Sequence, residues 1–171
     1  MPHGLFQRQL AGYAAVHRSP RNKATHFVGI PVIVFSLLLL LALWRVEPAG
    51  HEMSMALVIG ALAVVAWIAL DAGIGLIMAA IMVPAWYAAE TLAGVLGPSG
   101  SLTAFAVLFV AGWALQFLGH HYEGKRPALM DNIFQGFIGP MFLVAETLVA
   151  SGWRADLAAT MGEGHGAVTK G

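Results

Sequence analysis

The sequence predicts an all-α integral membrane protein: a bundle of four to five transmembrane helices with an interfacial N-terminal helix. Three observations carry this. The 171 residues are 58% hydrophobic and only 11% charged, against roughly 25% charged in an ordinary soluble domain. The apolar residues gather in runs of the length, about 20 residues, that crosses about 30 Å of hydrocarbon. Short polar turns separate the runs, as antiparallel helices require.

The first stretch, "MPHGLFQRQLAGYAAVHRS", is amphipathic. It lacks the charged tip and apolar core of a cleaved signal peptide and is expected to lie in the membrane interface. Ser19 and Pro20 then read as a cap followed by a proline at a first helical position, so the chain breaks and restarts there. Spans are expected at Phe27–Trp44, Met53–Leu70, Gly73–Leu92 and Leu102–Leu118. The joints are "RVEPAGHE", "DA" and "GPSG", the second so tight that spans two and three form a hairpin. A fifth apolar stretch, Ile133–Val149, contains Gln135, Gly136, Gly139, Pro140 and Glu146. It either spans, lies re-entrant or rests in the interface. Residues 1–160 form one membrane-embedded domain, and 161–171 are a flexible tail.

Lysine and arginine placement sets the orientation. Arg8, Arg18, Arg21 and Lys23 precede span one, and Lys125 and Arg126 follow span four. The opposite loops hold only Arg45, set against Glu47 and Glu52. The N-terminus and the loop after span four are therefore expected in the cytoplasm, on one membrane face. The membrane is the inner one in a bacterium and the endoplasmic reticulum in a eukaryote.

Other function classes are excluded by composition. The formal net charge is zero, so no global field recruits nucleic acid. The absence of cysteine removes disulfides, thiolate nucleophiles, iron–sulfur clusters and Cys-ligated zinc together. No glycine-rich nucleotide loop or serine triad spacing stands out.

The chemistry-bearing residues lie in two polar stretches. "HRSPRNKATHFVGIP" carries His17, Asn22 and His26. Nine residues on one helix would put the two histidines on opposite sides, but the Ser19-Pro20 break lets both imidazoles turn to one site. Asn22 and His26, four apart, share a helix face. The second stretch, "QFLGHHYEGKRPALMDN", sets Gln116, His120 and Glu123 on one stripe, with His121 about 100° round from His120. Each stretch also has a plain reading, as an interfacial anchor or a solvated helix end. Together they offer up to four histidines and a carboxylate on one face. That donor set suits non-haem iron or, less specifically, zinc, manganese or copper. Glu123 can reach either the metal or the far nitrogen of the imidazole; the second is favoured, since the histidines already fill much of a coordination sphere. His3, His51 and His165 are expected to be solvated.

With these residues in place, the chain resembles the small integral membrane 2-hydroxy fatty acid dioxygenases. The match runs over about residues 10–150, on His…Asn…His…Gly-x-Pro before span one and Gln-Phe-x-Gly-His…Glu…Pro-Ala after span four. The resemblance implies an iron(II)-dependent enzyme of fatty-acid α-oxidation, which uses O2 to shorten a 2-hydroxy fatty acid by one carbon. It maps essential histidines onto His17, His26 and His120, with His121 in the next position. Lys125 or Arg126 would then pair with the substrate carboxylate, Arg with a bidentate grip. The partners implied are the substrate, O2 and the bilayer. Two rivals fit less well. A proton-relaying carrier wants ionisable groups near the bilayer midplane, which is nearly uncharged here. A haem carrier wants histidines inside facing spans, and spans two to four have none.

Overall fold

A computed structural model describes residues 4–125 and 134–162. Among them are six α-helices: α1 (Leu5–Ala15), α2 (Pro20–Ala42), α3 (Met55–Leu70), α4 (Ala72–Glu123), α5 (Phe134–Ala150) and α6 (Ala155–Met161). A two-residue antiparallel pair, β1 (Arg45–Val46) with β2 (Met53–Ser54), closes around a 3-10 turn at Pro48–Gly50. The all-α membrane-type fold expected from composition is present. By contacts the chain forms two compact units, residues 1–27 with 116–171 and residues 28–115. The tail expected from residue 161 lies, beyond Gly162, outside the described residues.

In the first unit α1 turns Phe6, Leu10, Tyr13 and Ala14 inward, a single helical stripe. That stripe packs on α5 and α6. α5 is well buried along most of its length, including Ile138, Met141, Phe142, Leu143, Val144 and Ala145. The fifth apolar stretch is therefore covered largely by protein. It meets α6 at a bend of 119°. Helix α2 begins at Pro20, after the break that the sequence marks at Ser19.

In the second unit the apolar helices expose what a water-soluble fold hides. Leu62, Val65, Leu76, Val83, Val95, Val107 and Val110 are each more than 60% exposed. Such a surface is stable against lipid, which does not penalise apolar contact. Helices α2 and α4 are long and apolar enough to cross a membrane, while α3 has 16 residues. The "DA" hairpin forms as expected: Asp71 Oδ1 accepts from the Ile74 amide at 3.0 Å and caps α4. A Cβ on Gly75 would lie 2.4 Å from the Ile68 backbone, so only glycine fits that turn. Glu90 joins Trp86 Nε1 (3.2 Å) and Arg45 Nη2 (3.0 Å).

The break expected at "GPSG" between spans three and four is present: α4 is two helical stretches joined across a kink at Gly97. Gly97 adopts φ 65° and ψ 179°, a conformation only glycine takes without strain. Pro98 follows it at a position where a missing amide costs nothing. The four expected spans correspond to α2, α3 and the stretches of α4 on either side of Gly97.

Candidate metal centre

His17 sits in the linker between α1 and α2, two residues beyond the end of α1. Its Nδ1 donates to the Tyr13 carbonyl at 2.7 Å, and its ring stacks on Tyr13 with centroids 4.0 Å apart. Phe142 of α5 closes another side, 5.6 Å from the imidazole. The residue is 1% exposed, and burial pushes its pKa down from 6.5 to about 3. The imidazole is therefore neutral at physiological pH, the form that ligates metals. Burial also pushes the Tyr13 phenol up, so it stays protonated.

His26 lies in the second turn of α2, equally buried. Its Nδ1 donates to the Asn22 carbonyl at 2.9 Å. A carbonyl can only accept, so both Nδ1 atoms must carry the ring proton. That leaves lone pairs on both Nε2 atoms, and these face each other 3.0 Å apart. Two lone pairs at that distance repel unless a cation lies against both. Two nitrogens about 2.1 Å from one ion, at a right angle, stand about 3.0 Å apart. The spacing is that of adjacent ligands in one coordination sphere.

His120 completes the group from the last turn of α4. Its ring is 4.9 Å from both other imidazoles, centroid to centroid, and each ring stands nearly edge-on to the next. The ligand nitrogens of His17, His26 and His120 all lie within 4.8 Å of one another. His120 Nδ1 is buried without a hydrogen-bond partner, as are Gln116 Nε2 one turn earlier and Asn22 Oδ1. Orphaned buried nitrogens cost about 1–3 kcal/mol each, a cost that a bound ion removes for the imidazole. On donor type, tautomer and spacing, the three histidines fit a metal ion.

Close approach of α4 to α2 makes this possible. A Cβ on Gly119 would lie 2.2 Å from Thr25 Oγ1, 2.5 Å from Asn22 Oδ1 and 3.0 Å from His26 Nδ1. Gly112, two turns earlier on α4, is equally hemmed in by Ile33 and the Gly29 carbonyl. Small residues at this spacing let helix backbones approach in a membrane.

The other residues expected at the site are placed differently. Glu123 hydrogen-bonds to none of the three imidazoles: its carboxylate accepts from the amides of Arg18 (3.1 Å) and Ser19 (2.7 Å) and from Asn22 Nδ2 (3.1 Å). It thus neutralises unsatisfied donors at the start of α2, where an anion is favoured. Asn22 Nδ2 also reaches the Val16 carbonyl. The tautomers of His17 and His26 are held by backbone carbonyls four residues earlier. His121, adjacent to His120, is exposed with its ring against Tyr122 and stands apart from the cluster. Lys125 Nζ donates to the Ala15 carbonyl at 2.8 Å, closing the end of α1. Arg126 lies outside the described residues. Tyr13, Gly119 and the Lys23–Glu146 ion pair went unnoticed in the sequence. The i−4 relation of Tyr13 to His17, the same as that of Asn22 to His26, was the available signal.

Fold and site together define a helical, membrane-type protein with a buried three-histidine centre. A family model described as 2-hydroxy-palmitic acid dioxygenase Mpo1-like matches residues 4–151, and the chain belongs to that family. The 2-hydroxy-palmitic acid dioxygenase MPO1 of Saccharomyces cerevisiae is 29% identical over 171 aligned residues, covering 94% of this chain and 91% of the yeast protein. No solved structure matches.

Proposed function

We propose that this protein is an iron(II)-dependent dioxygenase that cleaves 2-hydroxy fatty acids with O2 and shortens them by one carbon. Support comes from the family membership and the name of the yeast relative. The observation that carries the metal half is the pair of Nε2 lone pairs 3.0 Å apart, with His120 beside them. His17, His26 and His120 would hold the ion, leaving positions for a substrate and O2. A bound iron(II) supplies O2 activation, which no side chain provides.

The chain's own groups prepare that centre. Tyr13 and Asn22 carbonyls keep the ring protons on Nδ1 and aim Nε2 inward. Tyr13 and Phe142 wall the His17 side with aromatic surface and hold the imidazole in place. Glu123 fixes the linker between His17 and α2 through the Arg18 and Ser19 amides. We place the site at the cytoplasmic face, where the head of a membrane-dissolved fatty acid would rest, with the N-terminus cytoplasmic.

The test is metal analysis and turnover of protein purified in detergent and loaded anaerobically with iron(II). One iron per chain without a haem absorption band, with O2-dependent shortening of 2-hydroxypalmitate by one carbon, is expected. Protein that takes up no iron, or that leaves 2-hydroxypalmitate intact when iron-loaded, refutes the proposal.

A further inference from the structure

A cavity of about 200 Å3 adjoins the histidine cluster, with His17 as one wall. Its other walls include Arg18, Lys23, Phe142 and Glu146. Lys23 lies on α2 three residues before His26, on the same helix face. Glu146 lies on α5 one turn after Phe142, whose ring touches Tyr13 and His17. The two side chains form an ion pair, Lys23 Nζ donating to Glu146 Oε1. Both are largely withdrawn from the surface, at 23% and 14% exposure.

Such a pair adds little stability by itself, because withdrawing two charges costs about as much as their attraction returns. Its placement is informative. Among the described lining residues, Arg18, Lys23 and Glu146 sum to one net positive charge, which suits a monoanion. Beside the ammonium stands a carboxylate, which accepts a hydrogen bond but repels an anion that brings no donor. The matching ligand has a carboxylate and a hydroxyl on adjacent carbons. A 2-hydroxy acid head has five non-hydrogen atoms, which at about 30 Å3 or less apiece fit within the cavity's 200 Å3. A 16-carbon chain does not, so the alkyl part lies outside.

We propose that Lys23 and Glu146 recognise the substrate head group, Lys23 Nζ pairing with the carboxylate and Glu146 accepting a hydrogen bond from the 2-hydroxyl, so that the pair selects 2-hydroxy acids over plain fatty acids. This inference rests on the dioxygenase reading and assigns its specificity. It also moves carboxylate recognition from Lys125, which serves the Ala15 carbonyl, to Lys23.

The experiment is equilibrium dialysis of radiolabelled 2-hydroxypalmitate and palmitate against full-length, iron-loaded protein in neutral detergent, without oxygen. Wild-type protein is expected to prefer the 2-hydroxy acid by about 10-fold or more, the worth of one charge-assisted hydrogen bond. Glu146→Gln should lower that ratio several-fold, chiefly by admitting palmitate. Lys23→Met should weaken both acids by about 10-fold and leave the ratio alone, and Lys23→Arg should restore both. Iron content should match wild type in every variant. Wild-type affinities in Lys23→Met, or a wild-type ratio in Glu146→Gln, overturn the assignment. So does loss of iron in Glu146→Gln, because the pair would then be supporting the metal centre. If wild-type protein binds neither acid, the dioxygenase reading itself has failed, and this inference falls with it.

Discussion

Replacing Gly119 by alanine tests whether helix approach sets the metal centre. The added Cβ would sit 2.5 Å from Asn22 Oδ1, where ordinary contact begins at 3.4 Å, a shortfall of about 0.9 Å. Thr25 Oγ1 is nearer still but ends a rotatable side chain. Asn22 cannot easily yield, because its Nδ2 is tied to both Val16 and Glu123. Relief must come from α4 and α2 moving apart by most of an ångström. His120 is the next residue and moves with α4, and a metal–nitrogen bond of about 2.1 Å does not stretch to 3 Å. Overpacking of this kind costs about 1–3 kcal/mol in stability, and one displaced ligand should weaken iron binding at least 100-fold. Gly94→Ala is the control: nothing lies within 4 Å of its Cβ, so it should be neutral or stabilise by up to about 1 kcal/mol. The assays are chelator competition for iron affinity and thermal unfolding in detergent. Wild-type iron affinity in Gly119→Ala would show that the close contact does not position His120.

Alanine at His17, His26 or His120 should each abolish stoichiometric iron, while His51→Ala and His121→Ala should leave it intact; iron analysis of the purified variants decides this. Glu123→Gln should weaken iron binding by about 10-fold, less than any of the three histidine changes, and a wild-type affinity would show that the linker needs no carboxylate. Metal-free protein should lose stability as pH falls. His17 is neutral when folded down to about pH 3 but takes a proton at about 6.5 when unfolded, so the loss begins near 6.5 and reaches at most about 5 kcal/mol near 3. Thermal unfolding between pH 7 and pH 4 should show that slope in wild type and a shallower one in His17→Gln. A cytoplasm-only reporter should be active after residue 8 or near Lys125 and silent near Pro48; activity at Pro48 would invert the orientation.

Much of this was legible because lipid imposes a simple rule on sequence. Uncharged runs such as "VIVFSLLLLLALW" become helices in which every backbone group is paired internally. Ser19-Pro20 and Asp71 mark real boundaries, since each carries local chemistry that does not depend on the rest of the fold. His17, His26 and His120 could be grouped by motif. "GPSG" marks a real break as well, and one left-handed residue, Gly97, is enough to make it. Glu123, by contrast, was misread. Helical spacing puts it near His120's face, yet its partners are amides of a linker more than a hundred residues away, which no local period encodes. Lys23 and Glu146 show the same limit: 123 residues separate them, and each alone reads as a surface charge.

The wide spacing of the three histidines also has a consequence in time. The chain emerges from the ribosome at about 5–20 residues per second, and 94 residues separate His26 from His120. For roughly 5–20 s a nascent chain can therefore offer only two of the three cluster imidazoles, too few to hold a labile divalent ion firmly. On the proposed iron(II) reading, capture would wait until α4 has been made and Gly119 has come against Asn22. The metal would then be the last component to arrive, and its retention would report that α2 and α4 have been correctly joined.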